Sequence, residues 1–177
     1  TFEVTIVGVG MDDDGMRIDE LETALEAHPE TKVIYTIPTF QNPSGTTMPL
    51  ERRLRLLELA RARNIAVLED DPYGELQYSG EPVLPLRALD DQVIHLGTFS
   101  KTIAPGLRSG YAIASPEVLA AMLAMREVTD ISNDRISMRT VYHAAVDFLD
   151  AHVAEANEVY RARRDAMLAA LEQHMPD

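Results

Sequence analysis

The chain has 177 residues, 46% apolar and 25% charged, the balance of a soluble globular core: one domain, or one large lobe of a bigger protein. A formal net charge of −13 argues against nucleic-acid binding through this segment, and the absence of cysteine excludes disulfides and thiolate chemistry. No run approaches the roughly 18 apolar residues of a membrane span and the first residues lack a signal-peptide pattern, so no membrane contact and a cytoplasmic location are expected.

Phe2 to Val9 is apolar and β-branched and predicts a short strand, followed by a turn at Met11-Asp12-Asp13-Asp14-Gly15. Three adjacent aspartates suggest a calcium loop, but the remaining ligands and the closing glutamate are missing, so a solvated turn is expected. Ile18 to His28 reads as a helix with Leu21, Ala24 and Leu25 on one face and Asp19 as its N-cap. Lys32 to Ile37 predicts a strand closed by Pro38. Pro49 to Arg63 predicts an amphipathic helix with Leu50, Leu54, Leu57 and Ala60 or Arg61 on successive turns. Short apolar runs at Ile65–Leu68, Val93–Phe99 and Tyr111–Ala114 predict buried strands. Pro116 opens a helix to about Val128, and Ile136 to His174 is almost entirely helical, with a break near Asp150-Ala151. The second half of that stretch carries a single apolar seam through Val153, Val159 or Tyr160, Met167 and Leu171. Strands alternating with helices predict an α/β fold with a mostly parallel sheet. The chain starts directly in an alternating run and stops just after a long helix, so it is expected to be the middle of a larger protein.

In open α/β sheets ligands bind beyond the carboxyl ends of the strands. Three such ends carry polar clusters: Gln41-Asn42-Pro43-Ser44-Gly45, Glu69-Asp70-Asp71-Pro72-Tyr73, and Ser100-Lys101 followed by Arg108. Singly, each has an ordinary alternative. Asn-Pro-Ser-Gly is common turn composition, and the aspartate pair is equally a helix cap or a magnesium site. Lys101 is one of two lysines against fourteen arginines, at the end of a strand-like run. Burial would make its amine a nucleophile toward a carbonyl, by disfavouring the ammonium form; the other reading is a solvated lysine at a strand-to-loop turn. The five histidines lack metal-ligand spacing and no metal site is expected; His95 reads as a satisfied core residue. Gly8-Val9-Gly10 lacks the third glycine of a dinucleotide fingerprint, and no nucleophile elbow accompanies Ser100-Lys101. Tyr35 reads as a core aromatic, with lining of the same crevice as the other reading.

Taken together, Asn42-Pro43-Ser44-Gly45, Asp70-x-x-Tyr73 and Ser100-Lys101 with Arg108 seven residues on resemble the fold-type I pyridoxal-phosphate aminotransferases of class I/II. The similarity runs along essentially the whole chain. Glu-Asp-Asp-Pro-Tyr-Gly-Glu-Leu and Phe-Ser-Lys-x-x-Ala-Pro-Gly-Leu-Arg-x-Gly resemble the subgroup of 2-aminoadipate aminotransferase-like enzymes and MocR-type regulator domains. The resemblance implies a three-layer α/β/α large domain over residues 1–150, with 151–177 as a connecting helix toward a small domain. It implies pyridoxal 5'-phosphate as cofactor and an amino acid and a 2-oxo acid as substrates of a homodimeric transaminase. The alternatives it allows are the effector domain of a MocR/GntR-type transcription regulator and a lyase or decarboxylase of the same fold. It implies Lys101 as the Schiff-base lysine and proton carrier and Asp70 as partner of the pyridine nitrogen. Tyr73 and Asn42 would bond the ring's phenolic oxygen. Arg108, Thr98 and Ser100 would hold the phosphate. The family's glycine-containing phosphate loop, stacking aromatic and substrate-carboxylate arginine are expected outside this stretch.

Overall fold

The computed structural model describes residues 4–175, which gather into two compact units. The first joins the residues up to Asp71 with Val83–Gly97 and Tyr111–Met125; the second joins Pro72–Pro82, Thr98–Gly110 and the chain from Arg126 onward.

In the first unit the acidic turn is the tip of a small antiparallel hairpin of β1 (Met11–Asp12) and β2 (Gly15–Met16). Gly15 takes φ 90°, which a side chain would resist. The aspartates have a structural use: Arg52 donates to Asp12 at 2.6 and 2.8 Å. That guanidinium, with the Asp14 N–H, holds the Asp12 carboxyl below the usual range. Helix α1 (Ile18–Ala27) follows, burying Leu21 and Leu25. Its N-cap is Arg17, not Asp19 as expected from sequence; Asp19 and Glu20 lie in the first turn and pair with Arg17 at 2.7 and 2.5 Å. Acids there meet the positive end of the helix dipole.

The sheet has the order β3 (Val33–Thr36), β4 (Ala66–Asp71), β5 (Ile94–Thr98), β6 (Gly110–Ile113). β3–β4 and β4–β5 are parallel. The crossovers pass through α2 (Leu50–Ala62) and the short α3 (Leu86–Leu89). Right-handed crossovers between strands laid down in sequence order put both helices on one face. The core lies there: Leu21 and Leu25 of α1, Leu56, Leu57, Leu59 and Ala60 of α2, and Leu86 of α3 pack with Ile34, Val67 and Val93. Each fully buried aliphatic side chain contributes roughly 1.5–3 kcal/mol. Gly97 within β5 faces the Tyr111 ring so closely that a Cβ would collide with it.

Three expectations change here. The strand predicted over Phe2–Val9 does not form among the described residues: Val4 to Gly10 is without regular structure and Ile6 is 89% exposed. Phe2 and Glu3 lie outside the described residues. β-Branched alternation is only a propensity, and a strand also needs a partner to bond. Second, α2 is rotated from the expected phase. Leu50 and Leu54 are exposed, and the core face runs through Arg53, Leu56, Leu57 and Ala60. Third, β4 continues past Leu68 to Asp71, so Glu69 and Asp70 are strand residues and not part of a following loop.

In the second unit α4 (Pro116–Thr129), which begins in the first unit, is followed by α5 (Arg135–Asp147) and α6 (Leu149–His174). Asp134 caps α5 by accepting from Ser137 N at 2.8 Å and Ile136 N at 3.3 Å. The break expected at Asp150-Ala151 falls at Phe148, whose φ of −152° and ψ of 7° leave the helical region. The apolar seam expected on α6 is not packed into a core, since no α6 residue is buried. A polar ladder one turn apart does the work. Asn157, Arg161 and Arg164 bond Glu75 O, Tyr78 O and Ser79 Oγ at 3.1, 2.7 and 2.9 Å, and the Arg164 guanidinium lies 5.2 Å from the Tyr78 ring centre.

Candidate functional site

The end of β4 alternates sharply. Glu69 is fully buried on the core side, while Leu68 and Asp70 face the other way. Both Glu69 oxygens are used: they accept from Leu86 N at 2.7 Å, Arg87 N at 3.0 Å and His95 Nδ1 at 2.9 Å. Burial pushes the Glu69 carboxyl up, but His95 and the two backbone N–H groups outweigh that and hold it below its usual range. The Glu69 hydrogen bond raises His95 against the opposing effect of burial. His95 is thus a satisfied core histidine, as its sequence setting indicates. On the opposite face Tyr35 Oη donates to Asp70 Oδ2 at 2.7 Å. Tyr35 is 52% exposed and not the core aromatic expected from sequence. Its ring lies on the outer face of β3, whose inner positions are Ile34 and Thr36.

Asn42 is exposed in the connection from β3 to α2, and its peptide bond to Pro43 is cis. The loop is internally bonded: Gln41 N donates to Thr46 O at 2.9 Å, Met48 N to Pro38 O at 2.8 Å, and Ser44 Oγ to Gln41 Oε1 at 2.7 Å. Arg53 clamps both ends. Its fully buried guanidinium donates to Met48 O at 2.8 Å, Pro38 O at 2.8 Å, Thr39 Oγ1 at 2.9 Å and Leu84 O at 3.1 Å. A buried charge is tolerated when its donors are spent in this way.

In the second unit Phe99 N donates to Ser109 O at 3.1 Å, closing the loop that carries Ser100, Lys101 and Arg108. Thr98 Oγ1 reinforces the closure, donating to Ser109 O at 3.3 Å and accepting from Ser100 N at 3.1 Å. Arg108 adopts a left-handed conformation (φ 47°, ψ 41°) after a short 3-10 turn, Pro105–Leu107, and its side chain is exposed. Lys101 is also exposed, which corrects the expectation of a buried amine. β5 ends at Thr98 and the turn beyond leaves the side chain outside the core. Its Nζ lies 5.9 Å from the Tyr73 ring centre, within cation–π reach.

The structure therefore groups Tyr73, Thr98, Ser100, Lys101 and Arg108 in the second unit, and Asn42 and Asp70 in the first. Sequence reasoning placed Tyr35 and Glu69 near the site but did not foresee the Tyr35–Asp70 and Glu69–His95 bonds, and it missed Arg53 altogether. Pairing β3 with β4 in register would have exposed the first, and pairing β4 with β5 the second. Among the described residues no cluster of acids and histidines is arranged to hold a metal ion, and no helix is long and apolar enough to cross a membrane.

Residues 3–176 match the family described as aminotransferase class I and II. The chain belongs to the class I and II aminotransferases. An aromatic-amino-acid aminotransferase of Thermococcus litoralis is 44% identical over 99% of this chain. The chain spans 44% of that relative's length. The crystal structure of LysN, an α-aminoadipate aminotransferase of Thermus thermophilus complexed with N-(5'-phosphopyridoxyl)-L-leucine, superposes with a TM-score of 0.87. It is 32% identical, and the match covers 95% of this chain and 44% of LysN. The transcription regulator TauR of Rhodobacter capsulatus, a helix-turn-helix protein, is 33% identical over 98% of this chain and 35% of its own length. The aminotransferase fold expected from the motifs is thus the fold found: a mostly parallel sheet flanked by helices, with a long C-terminal helix.

Proposed function

We propose that the whole protein is a pyridoxal-phosphate-dependent transaminase that moves an amino group from an amino acid to a 2-oxo acid, as a cytoplasmic homodimer. In this reading residues 1–150 belong to the cofactor-binding large domain, and 151–177 lead toward a small domain. The donor set suits the cofactor: an exposed amine and guanidinium on one closed loop, a phenol near the amine, and a carboxylate at a strand end. When bound, pyridoxal phosphate would supply an electrophilic aldehyde and an electron-withdrawing ring. Lys101 would provide the amine facing that aldehyde and would hold or move a proton at the substrate's α-carbon. Asp70 holds the proton on the ring nitrogen. Tyr73 and Asn42 donate to the ring's phenolic oxygen. Arg108 would hold the phosphate, with Ser100 and Thr98 on the same loop. Thr98 already spends its hydroxyl proton on Ser109 O, so its share is to shape the loop.

The observation that carries this reading is the closed loop bearing Ser100, Lys101 and Arg108, with the Lys101 amine 5.9 Å from the Tyr73 ring. Lys101→Ala in the full-length protein is expected to abolish both the visible absorbance of bound cofactor and turnover; unchanged turnover would end the mechanism. The match to TauR favours a second reading, an effector domain of a transcription regulator built on the same residues. Assaying the full-length protein for amino-group transfer and for binding to duplex DNA separates the two.

A further inference from the structure

β3 and β4 are parallel neighbours with Tyr35 directly opposite Leu68. Side chains two apart on a strand share a face, so Tyr35 and Asp70 are diagonal neighbours on the same side of the sheet. A phenol is long enough to cross that diagonal, and Tyr35 Oη reaches Asp70 Oδ2 at 2.7 Å. Burial, then the Asp70 hydrogen bond, push the Tyr35 phenol up to about 12, so it keeps its proton at physiological pH and donates it to the carboxylate. An aspartate's carboxylate is otherwise a loose two-fold rotor. Here one oxygen is tied to a residue whose own backbone is locked into the neighbouring strand, which leaves Oδ1 as the free acceptor.

We propose that Tyr35 is a positioning residue for Asp70, fixing Oδ2 so that Oδ1 is presented to the ring nitrogen of the cofactor. This rests on the reading of Asp70 as the ring-nitrogen partner. Tyr35 touches neither substrate nor cofactor in this role; it acts through the carboxylate.

The test is a double-mutant cycle in the full-length protein, read by equilibrium titration of the cofactor-free form with pyridoxal phosphate in the absence of any amino acid. Tyr35→Phe removes one oxygen from a half-exposed side chain and keeps the ring, so the fold is retained. It should weaken cofactor binding roughly tenfold, the scale of one hydrogen bond to a charged group. In an Asp70→Asn background the same change should have no further effect. The ring-nitrogen resonance of 15N-labelled cofactor should move toward the unprotonated form in Tyr35→Phe, which a merely structural role would not cause. Parent-like affinity and resonance in Tyr35→Phe, or a full additional loss on top of Asp70→Asn, would overturn the proposal. If Asp70→Asn itself binds cofactor like the parent, the reading of Asp70 fails and this inference falls with it, an outcome distinguishable from failure of Tyr35 alone.

Discussion

At the scale of single residues the strongest electrostatic commitment is the buried pair of Glu69 and His95. They stand directly opposite each other in the β4–β5 ladder and meet at 2.9 Å. Glu69 is held below its ordinary value of 4.5, so its contribution is present above that value and is lost as pH falls through the depressed one. His95 is raised above its ordinary 6.5, so its contribution is full below that value and is lost as pH rises through the raised one. Both are intact together between 4.5 and 6.5. Glu69→Gln is therefore expected to cost about 3 kcal/mol at about pH 6, with a smaller gap to the parent at a second pH above the raised His95 value, where the imidazole has lost its charge. Urea unfolding at the two pH values measures both. An equal gap at each would show that the pair does not carry charge. The sequence made His95 legible as a core residue because an isolated histidine in an apolar strand has few other uses. Its partner, 26 residues earlier, became visible only once the ladder register was known. Tyr35 reads in the sequence as a core aromatic, with crevice lining as the other reading, and its bond to Asp70 stays hidden for the same reason: period-2 alternation says which residues share a face, not which neighbouring strand they meet.

At the scale of elements the sequence placed α2 and the sheet strands to within a few residues, because apolar runs and bounding prolines mark where each begins and ends. It misjudged the phase of α2. Leucines at 50 and 54 pull the apparent apolar face one way, whereas burial follows 53, 56, 57 and 60, and an arginine on the core face contradicts any reading by hydrophobicity alone. The resolution lies in hydrogen bonding, since Arg53 spends its donors on Met48 O, Pro38 O, Leu84 O and Thr39 Oγ1. Three of these acceptors, Pro38 O, Thr39 Oγ1 and Met48 O, bracket the loop that carries Asn42, so the helix braces the loop through one side chain. Arg53→Met keeps a comparable apolar stem but takes the guanidinium away from the buried Met48 O and Thr39 Oγ1, each worth roughly 1–3 kcal/mol when left unbonded. A total loss of about 3 kcal/mol or more is expected in denaturant unfolding. Amide hydrogen exchange at Gln41 and Met48, which close the loop onto Thr46 O and Pro38 O, should also accelerate. Parent-like exchange at those two amides would mean that the loop holds itself.

At the scale of the whole molecule, α5 is apolar on two sides. Val141 and Ala144 are buried, yet Met138, Tyr142 and Val146, one turn apart on a separate stripe, are 48%, 63% and 64% exposed. A helix apolar all round belongs in an interior, and a continuous uncovered stripe marks a surface meant for contact. The relatives that this chain matches are more than twice as long, since it spans 44% of the Thermococcus protein. We therefore expect the rest of the protein to cover this stripe. The 177-residue chain produced alone should bind a hydrophobic dye strongly and self-associate in sedimentation. Replacing Tyr142 and Val146 with glutamate should suppress both, because the new charges oppose association at the stripe. In the full-length protein the same substitutions should destabilise by more than about 1 kcal/mol, since they would bury charge at a packed contact. A weakly dye-binding fragment, or a full-length double variant as stable as its parent, would show that the stripe faces water in the intact protein as well.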